Sequence, residues 1–298
     1  SGRKELLTGG EVVEGDLEDK KALIDVFEQN DIGAVLHFAS LIQVGESFTN
    51  PQKYYKHNLI TSLNLLEAML DNSVDRFLFS SSAAVYGIPE KIPITESHPL
   101  NPANPYGMTK MVVEKILEDY NKAYGLNFIS LRYFNAAGAD PDSLLGEMHD
   151  PETHLIPNIL LTLLGKKDHL DVYGSDFDTP DGTAVRDYIH VSDLARAHVL
   201  ALKRLLKHKE SHFINLGVNK GYSVLEVIRN TEKVTGKAVN FSMKPRRKGD
   251  VPVLLASNDR AKKILGWELE YSDIETIIRT AWNWHSFVAA HSQEKRTR

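Results

Sequence analysis

The 298-residue sequence contains no cysteine. That excludes disulfides, thiolate metal sites and a cysteine nucleophile, and it fits a reducing compartment, with the cytoplasm as the default. Long apolar runs are missing too. The longest, Ile156 to Leu164, is interrupted by Pro157, Asn158 and Thr162 and is too short to cross a bilayer, so no membrane partner is expected. Positive charge is not in excess: the formal net charge is -5, which offers no basic field to a nucleic-acid backbone, and nucleic acid is not expected as a partner. An initiating methionine is absent, and Ser-Gly-Arg-Lys has no apolar signal core, so Ser1 reads as an internal residue or an added scar. No glycine-rich G-x-G-x-x-G loop follows a first strand. Thr8-Gly9-Gly10 has no strand before it and reads as a turn.

What remains is an ordinary globular composition, 42% hydrophobic and 25% charged, long enough to bury a large core. Glu11 to Gly15 reads as a short strand, Leu17 to Gln29 as an amphipathic helix, and Ala34 to Ala39 as an apolar strand. A helix at Pro51 to Leu70, a strand at Arg76 to Ser80, a helix at Tyr106 to Tyr124 and a strand at Phe128 to Tyr133 continue the alternation. Strands that are apolar at their centres are covered on both faces by crossover helices. The expected fold is therefore α/β, a doubly wound, Rossmann-like parallel sheet.

After Asn135 the rhythm changes to Gly and Asp clusters, then a helix at Ile156 to Gly165, strands at Val185 to His190 and Phe213 to Leu216, and helices at Val191 to Leu206 and Ser223 to Thr235. This predicts residues 1–135 as one domain and 136–298 as a smaller α/β lobe that partly packs back on the first. The charged tail beyond Ala289 is expected to fray.

Tyr106 and Lys110 form a Y-x-x-x-K pair at a helix entry marked by Asn104 and Pro105. A spacing of four puts both on one helical face. A phenol with a pKa of about 10 is a poor base at neutral pH. A nearby ammonium, joined by a cationic nicotinamide ring, would favour the phenolate. An isolated pair of this kind is usually ordinary surface; here an apolar strand runs into Ser80-Ser81-Ser82 just before it, and hydroxyls at the carboxyl end of a parallel strand open onto the ligand crevice of such folds. Ser82 can then share a substrate proton with Tyr106, while Ser80 and Ser81 also suit turn chemistry.

Seven segments in order carry a family resemblance over nearly the whole chain: HFASLIQVGES at His37, SSSAAVYG at Ser80, NPYGMTK at Asn104, LRYFNAAGADP at Leu131, PETHLIP at Pro151, TPDGTAVRDYIHVSDLARAH at Thr179 and PRRKGDVP at Pro245. The sequence resembles the extended short-chain dehydrogenase/reductases and, within them, the UDP-galactose 4-epimerases. The resemblance implies a retained NAD that takes hydride from C4 of a UDP-hexose and returns it to the opposite face of a 4-keto sugar. It implies Tyr106, Lys110 and Ser82 as catalytic residues. For the cofactor it implies Asp16 and Leu17 near adenine, Phe38, Ala39 and Asn58 along the dinucleotide, and Ser80, Tyr106, Lys110 and Tyr133 toward the nicotinamide.

For the substrate the resemblance implies Asn135, Arg186, Arg247 and Asp250 around the phosphates and Tyr173 near uracil, with Leu155 and the catalytic Ser82 and Tyr106 completing the pocket. Guanidinium groups suit phosphate oxygens. By itself, Arg246-Arg247-Lys248 is a solvated basic loop, and Asp16 is equally a helix N-cap. A homodimer is expected by similarity, and no metal ion.

The sequence departs from the family at the absent glycine loop, and the expectation is that the first strand has been lost before Ser1. Ile42 stands where many relatives carry lysine, leaving more of the electrostatic load to Lys110. Leu254 falls at a position that limits the sugar pocket, where bulk disfavours N-acetylhexosamines. Dehydratases and decarboxylases of the superfamily carry an acid in the segment corresponding to Ser81 to Ala84, and none is present here. The remaining alternatives are a 4-epimerase of a uronate or acetamido UDP-sugar and an inactive truncated sugar-nucleotide binder.

Overall fold

A computed structural model describes residue 7, residues 9–247 and residues 249–294. Ser1 to Lys4, Thr8 of the Thr8-Gly9-Gly10 turn, Lys248 and residues 295–298 lie outside the described residues. Leu17 and Asp19 lead into α1 (Lys20–Gln29), whose free N–H groups at Lys21 and Ala22 are capped by the Asp19 carboxylate. The strand β1 (Val35–His37) is followed by the short helices α2 (Val44–Thr49) and α3 (Pro51–Tyr55). A turn of π-helix at Lys56–Ile60 then joins α3 to α4 (Thr61–Asp71).

Next come β2 (Arg76–Ser82), α5 (Pro105–Tyr124), β3 (Asn127–Tyr133), β4 (Asn135–Ala137), α6 (Leu155–Leu163), β5 (Leu170–Tyr173), β6 (Val185–His190) and α7 (Val191–Lys207). The chain finishes with β7 (His212–Leu216), β8 (Gly221–Ser223), α8 (Val224–Thr235), β9 (Phe241–Lys244), β10 (Val253–Leu254), α9 (Asp259–Leu265) and α10 (Ile274–Glu294).

The main sheet is parallel throughout, in the order β1-β2-β3-β7. Its two faces are covered differently. Phe77, Phe79 and Phe128 pack against Leu23 and Phe27 of α1, Leu66 and Met69 of α4, and Val113 and Leu117 of α5. Leu78, Ile129 and Leu131 turn the other way, onto Leu194, Ala197 and Ala201 of α7 and Trp267. This is the expected doubly wound arrangement: apolar residues of both parities in one strand bury on opposite faces. Two smaller groups, β10-β6-β4 with β8 antiparallel to β6, and β5 paired with β9, cover a third core built on α6, α8 and α10. The later half of the chain contributes β7 to the main sheet and packs α7 against it.

Two expectations fail locally. Glu11 to Gly15 is exposed and in no strand, because a strand exists only where a neighbour shares its backbone hydrogen bonds, and none lies beside it among the described residues. The tail beyond Ala289 does not fray at once: α10 continues to Glu294. Among the described residues, no helix is long and apolar enough to cross a membrane.

Candidate active site

The carboxyl ends of β2 and β3 and the first turn of α5 meet at one edge of the main sheet. α5 begins where it does because Asn104 accepts the Gly107 N–H at 2.8 Å and Pro105 occupies the first helical position. Gly107 sets how close the helix comes. A Cβ there would lie 2.4 Å from the Ala84 carbonyl oxygen, so only glycine lets α5 press onto the turn that follows β2. That contact brings the Tyr106 phenol within hydrogen-bonding reach of the Ser82 hydroxyl, which also accepts the Ala84 N–H at 3.1 Å.

Lys110, one turn further on, is buried and donates to the Ser80 carbonyl at 2.8 Å. Its Nζ lies 4.8 Å from the Phe79 ring centre and 5.9 Å from that of Tyr106. The predicted trio therefore converges. The electrostatics differ from the expectation. Burial pushes the Tyr106 phenol up, countered in part by the Ser82 hydrogen bond. Burial also lowers Lys110 to about 7, with Glu114 pulling it back up. The lysine alone does not make the phenol acidic, because each group loses hydration for its own charge and the ammonium is spent on a carbonyl.

Glu114 is a residue that the sequence reading missed, although Tyr106, Lys110 and Glu114 repeat the spacing of four. It holds Arg132 in a buried two-pronged ion pair at 2.9 and 2.7 Å and accepts from Ser130 at 2.7 Å. Arg132 in turn donates to Tyr86, and Tyr86 to Asn215, tying α5, β3 and β7 together beneath the site. Asn58 lies buried in the π turn, an insertion that re-aims a side chain within a helix. Its carboxamide grips Leu41 from both sides, at 2.8 and 3.1 Å, and donates to Thr109 at 3.0 Å. It thereby positions the loop after β1.

That loop presents Phe38, 55% exposed, and Ala39 and Ile42, also exposed, to the crevice. Phe38 packs on His198 of α7 at 4.9 Å, and His198 meets Tyr133, whose hydroxyl is also within reach of Ser80. His198 is held neutral by burial. Its Nδ1 faces the Leu194 carbonyl at 2.7 Å, so Nδ1 carries the proton and Nε2 is left to accept from Tyr133. His198 closes the TPDGTAVRDYIHVSDLARAH segment, but the sequence reading gave it no role. Asp16 is exposed and accepts the Glu18 N–H, while Leu17 packs into the core. The chemistry of this edge fits a dinucleotide: an exposed aromatic and aliphatic shelf for a flat ring, beside a buried lysine and a phenol that suit ribose hydroxyls.

A second group forms around β6 and β10. Arg186 of β6 is paired in register with Leu254, and its guanidinium interacts with Arg247 and Asp250. Burial lowers its pKa, an effect that Tyr188 and Asp250 oppose. Arg247 pairs with Asp250 at 3.0 Å and lies over the Tyr173 ring at 5.1 Å. Four predicted substrate residues therefore sit together, with Asn135 paired to Tyr188 on the far side of β6 and Leu155 opening α6. Asp187, in the same motif as Arg186, has a structural job. It accepts the N–H groups of Val218, Asn219 and Ala256 and so joins β6 to the segments after β7 and β10. Burial raises it to about 6.

Residues 1–217 match the NAD dependent epimerase/dehydratase family. The chain is 48% identical over 271 residues to a UDP-glucose 4-epimerase of Halalkalibacterium halodurans, covering 91% of this chain and 81% of that protein. The crystal structure of UDP-glucose 4-epimerase from Brucella ovis in complex with NAD superposes with a TM-score of 0.92 at 47% identity, covering 95% of this chain and 87% of that one. The enzyme from Bifidobacterium longum in complex with NAD+ and UDP superposes at 0.89 with 42% identity, over 92% and 82% of the respective chains. Sheet order, the converging tyrosine, serine and lysine, and these similarities agree: the chain belongs to the NAD dependent epimerase/dehydratase family and, within it, to the UDP-glucose 4-epimerases.

Proposed function

We propose that the protein interconverts UDP-galactose and UDP-glucose at C4 through a transient 4-keto sugar, with tightly held NAD. The observation that carries this reading is the meeting of Tyr106, Ser82 and Lys110 at the carboxyl edge of the parallel sheet. NAD, when bound, supplies an acceptor and then a donor of hydride, together with a positive charge near the phenol. Tyr106 takes the O4 proton as the C4–H bond breaks and C4=O forms, Ser82 holds that oxygen through its hydroxyl, and the tyrosine returns the proton once hydride has been restored to the opposite face. Lys110 orients the ribose, and it is the charge of bound NAD, joined to the lysine's, that would favour the phenolate.

Phe38, Ala39 and Asn58 would lie along the dinucleotide, Ser80, Tyr106, Lys110 and Tyr133 toward its nicotinamide, and Asp16 and Leu17 near its adenine, so that residues 1–135 carry the dinucleotide. Residues 136–298 carry the UDP: Asn135 borders them, Arg186, Arg247 and Asp250 serve the phosphates, and Tyr173 and Leu155 the uridine. Leu254, packed against Val85 and Tyr86, supports hexoses over N-acetylhexosamines by its bulk. A homodimer belongs to the same reading, supported by Ile60, Leu63 and Tyr124, which are 42%, 37% and 61% exposed on the outer helices. So do a cytoplasmic setting and a role in galactose metabolism, supported by the cysteine-free sequence and the relatives' activity.

The test is Tyr106→Phe, assayed by conversion of UDP-galactose. Turnover should fall by about 10²–10⁴, the usual weight of a general base, while KM changes little. Undiminished turnover would remove Tyr106 from the mechanism. Conversion of UDP-glucuronate with UDP-galactose untouched would reject the substrate.

A further inference from the structure

Between β4 and α6 the chain runs Glu147-x-His149-x-x-Glu152-x-His154, and this loop folds its four side chains onto one point. Glu147 Oε1 lies 2.8 Å from His149 Nδ1 and 2.7 Å from His154 Nδ1. Glu152 Oε1 lies 2.9 Å from His154 Nδ1, and its Oε2 3.9 Å from His149 Nδ1. One potential ligand atom from each of the four residues falls within 4.8 Å of the others, the only such group of three or more among the described residues. Around a tetrahedral Zn²⁺ with bonds of about 2.0–2.1 Å, ligand atoms stand about 3.4 Å apart. To admit the ion, the contacts at 2.7–2.9 Å must open by about 0.5–0.7 Å and the widest separations, within 4.8 Å, must close by up to about 1.4 Å.

The surroundings hold the loop in this shape. Trp284 Nε1 of α10 donates to the Glu147 carbonyl at 3.0 Å, and a Cβ on Gly146 would run into the Trp284 ring at 2.3 Å. Glu152 Oε1 accepts the N–H groups of Thr153 and His154, each at 2.7 Å, which orients the carboxylate and leaves Oε2 available. Asn158 donates to the His154 carbonyl at 2.8 Å. The two carboxylates face inward, their side chains 19% and 5% exposed, while the two imidazoles sit at the rim at 39% and 41%, which gives an ion a way in. A single His–Glu contact is commonplace on a protein surface. Here two imidazoles and two carboxylates share one centre, with Glu152 Oε1 held by two backbone N–H groups and the Glu147 backbone carbonyl by the tryptophan.

We propose that Glu147, His149, Glu152 and His154 bind one divalent transition-metal ion, Zn²⁺ foremost, since mixed imidazole and carboxylate donors suit it. The ion would fasten the loop to the first turn of α6. No part of the epimerase reading assigns these residues this role, and the sequence had led us to expect no metal.

The test uses the full chain, stripped with EDTA and titrated with Zn²⁺ in competition with a chromophoric chelator. The expected result is one ion per chain, with X-ray absorption of the loaded protein showing two imidazole nitrogens and two carboxylate oxygens. His149→Ala and Glu147→Gln should each weaken binding by at least about tenfold, the loss that even an outer partner of a ligand causes. His169→Ala, at an exposed His–Asp pair elsewhere, should change nothing. Melting curves in EDTA identify a variant that does not fold, and the other variant then decides. Equal affinity in the wild type and the folded variants, or an absorption spectrum without imidazole, overturns the proposal. Neither result depends on NAD, UDP-sugar or turnover.

Discussion

Replacing Lys110 with methionine removes a buried ammonium while keeping most of the side chain's length, and the effect on stability should depend on pH in a direction set by the fold. In the folded, cofactor-free protein, Lys110 titrates near 7 because burial penalises its charge, against 10.5 for the free side chain. Below about pH 7 both folded and unfolded chains carry the proton, and above about pH 10.5 neither does. Between those limits only the unfolded chain carries it. Wild-type stability should therefore rise with pH across that window by about 1.4 kcal/mol per unit from this group. From about pH 7.5 to about pH 9.5 the gain is roughly 3 kcal/mol.

The methionine variant has no such group, so the wild-type advantage over the variant should grow by that amount. Urea unfolding of both proteins at the two pH values and constant salt measures it, and the other titrating groups cancel in the difference. Parallel pH dependences would refute the reasoning, because they would mean that Lys110 keeps its proton in the folded state.

Gly107→Ala places a methyl group 2.4 Å from the Ala84 carbonyl oxygen, where ordinary contact begins at 3.4 Å, so α5 must retreat by about 1 Å. The expected cost is about 1–3 kcal/mol in unfolding free energy and about 10² in turnover as Tyr106 leaves Ser82, with KM for UDP-sugar little changed. Wild-type turnover in this variant would show that the close approach is not needed. Glu114→Gln leaves the Arg132 guanidinium, 2% exposed, without its countercharge and should destabilise the fold by about 3–5 kcal/mol. Chemical unfolding reads this directly. A loss under 1 kcal/mol, on the order of an exposed pair, would contradict the buried network.

The sequence by itself determined most of the element order, the doubly wound class and the meeting of Tyr106 and Lys110 with the serines that end β2, because each rests on local rules. Apolar continuity marks a strand covered on both faces, Asn104-Pro105 marks a helix start, and a spacing of four puts Tyr106 and Lys110 on one face. Arg186, Arg247 and Asp250 were legible only through their motifs and Tyr173 only through the resemblance as a whole, since they are far apart along the chain, and the folding of β6 against β10 is what assembles them.

Tertiary structure alone decided the rest. Whether Glu11 to Gly15 becomes a strand depends on a neighbour to share hydrogen bonds. Whether a lysine lowers a tyrosine's pKa depends on how much water both have lost. Asn58, Glu114 and His198 gained their roles from partners 17 to 65 residues away. Burial and hydrogen-bond partnership are properties of the packed chain, and no spacing rule within one element encodes them.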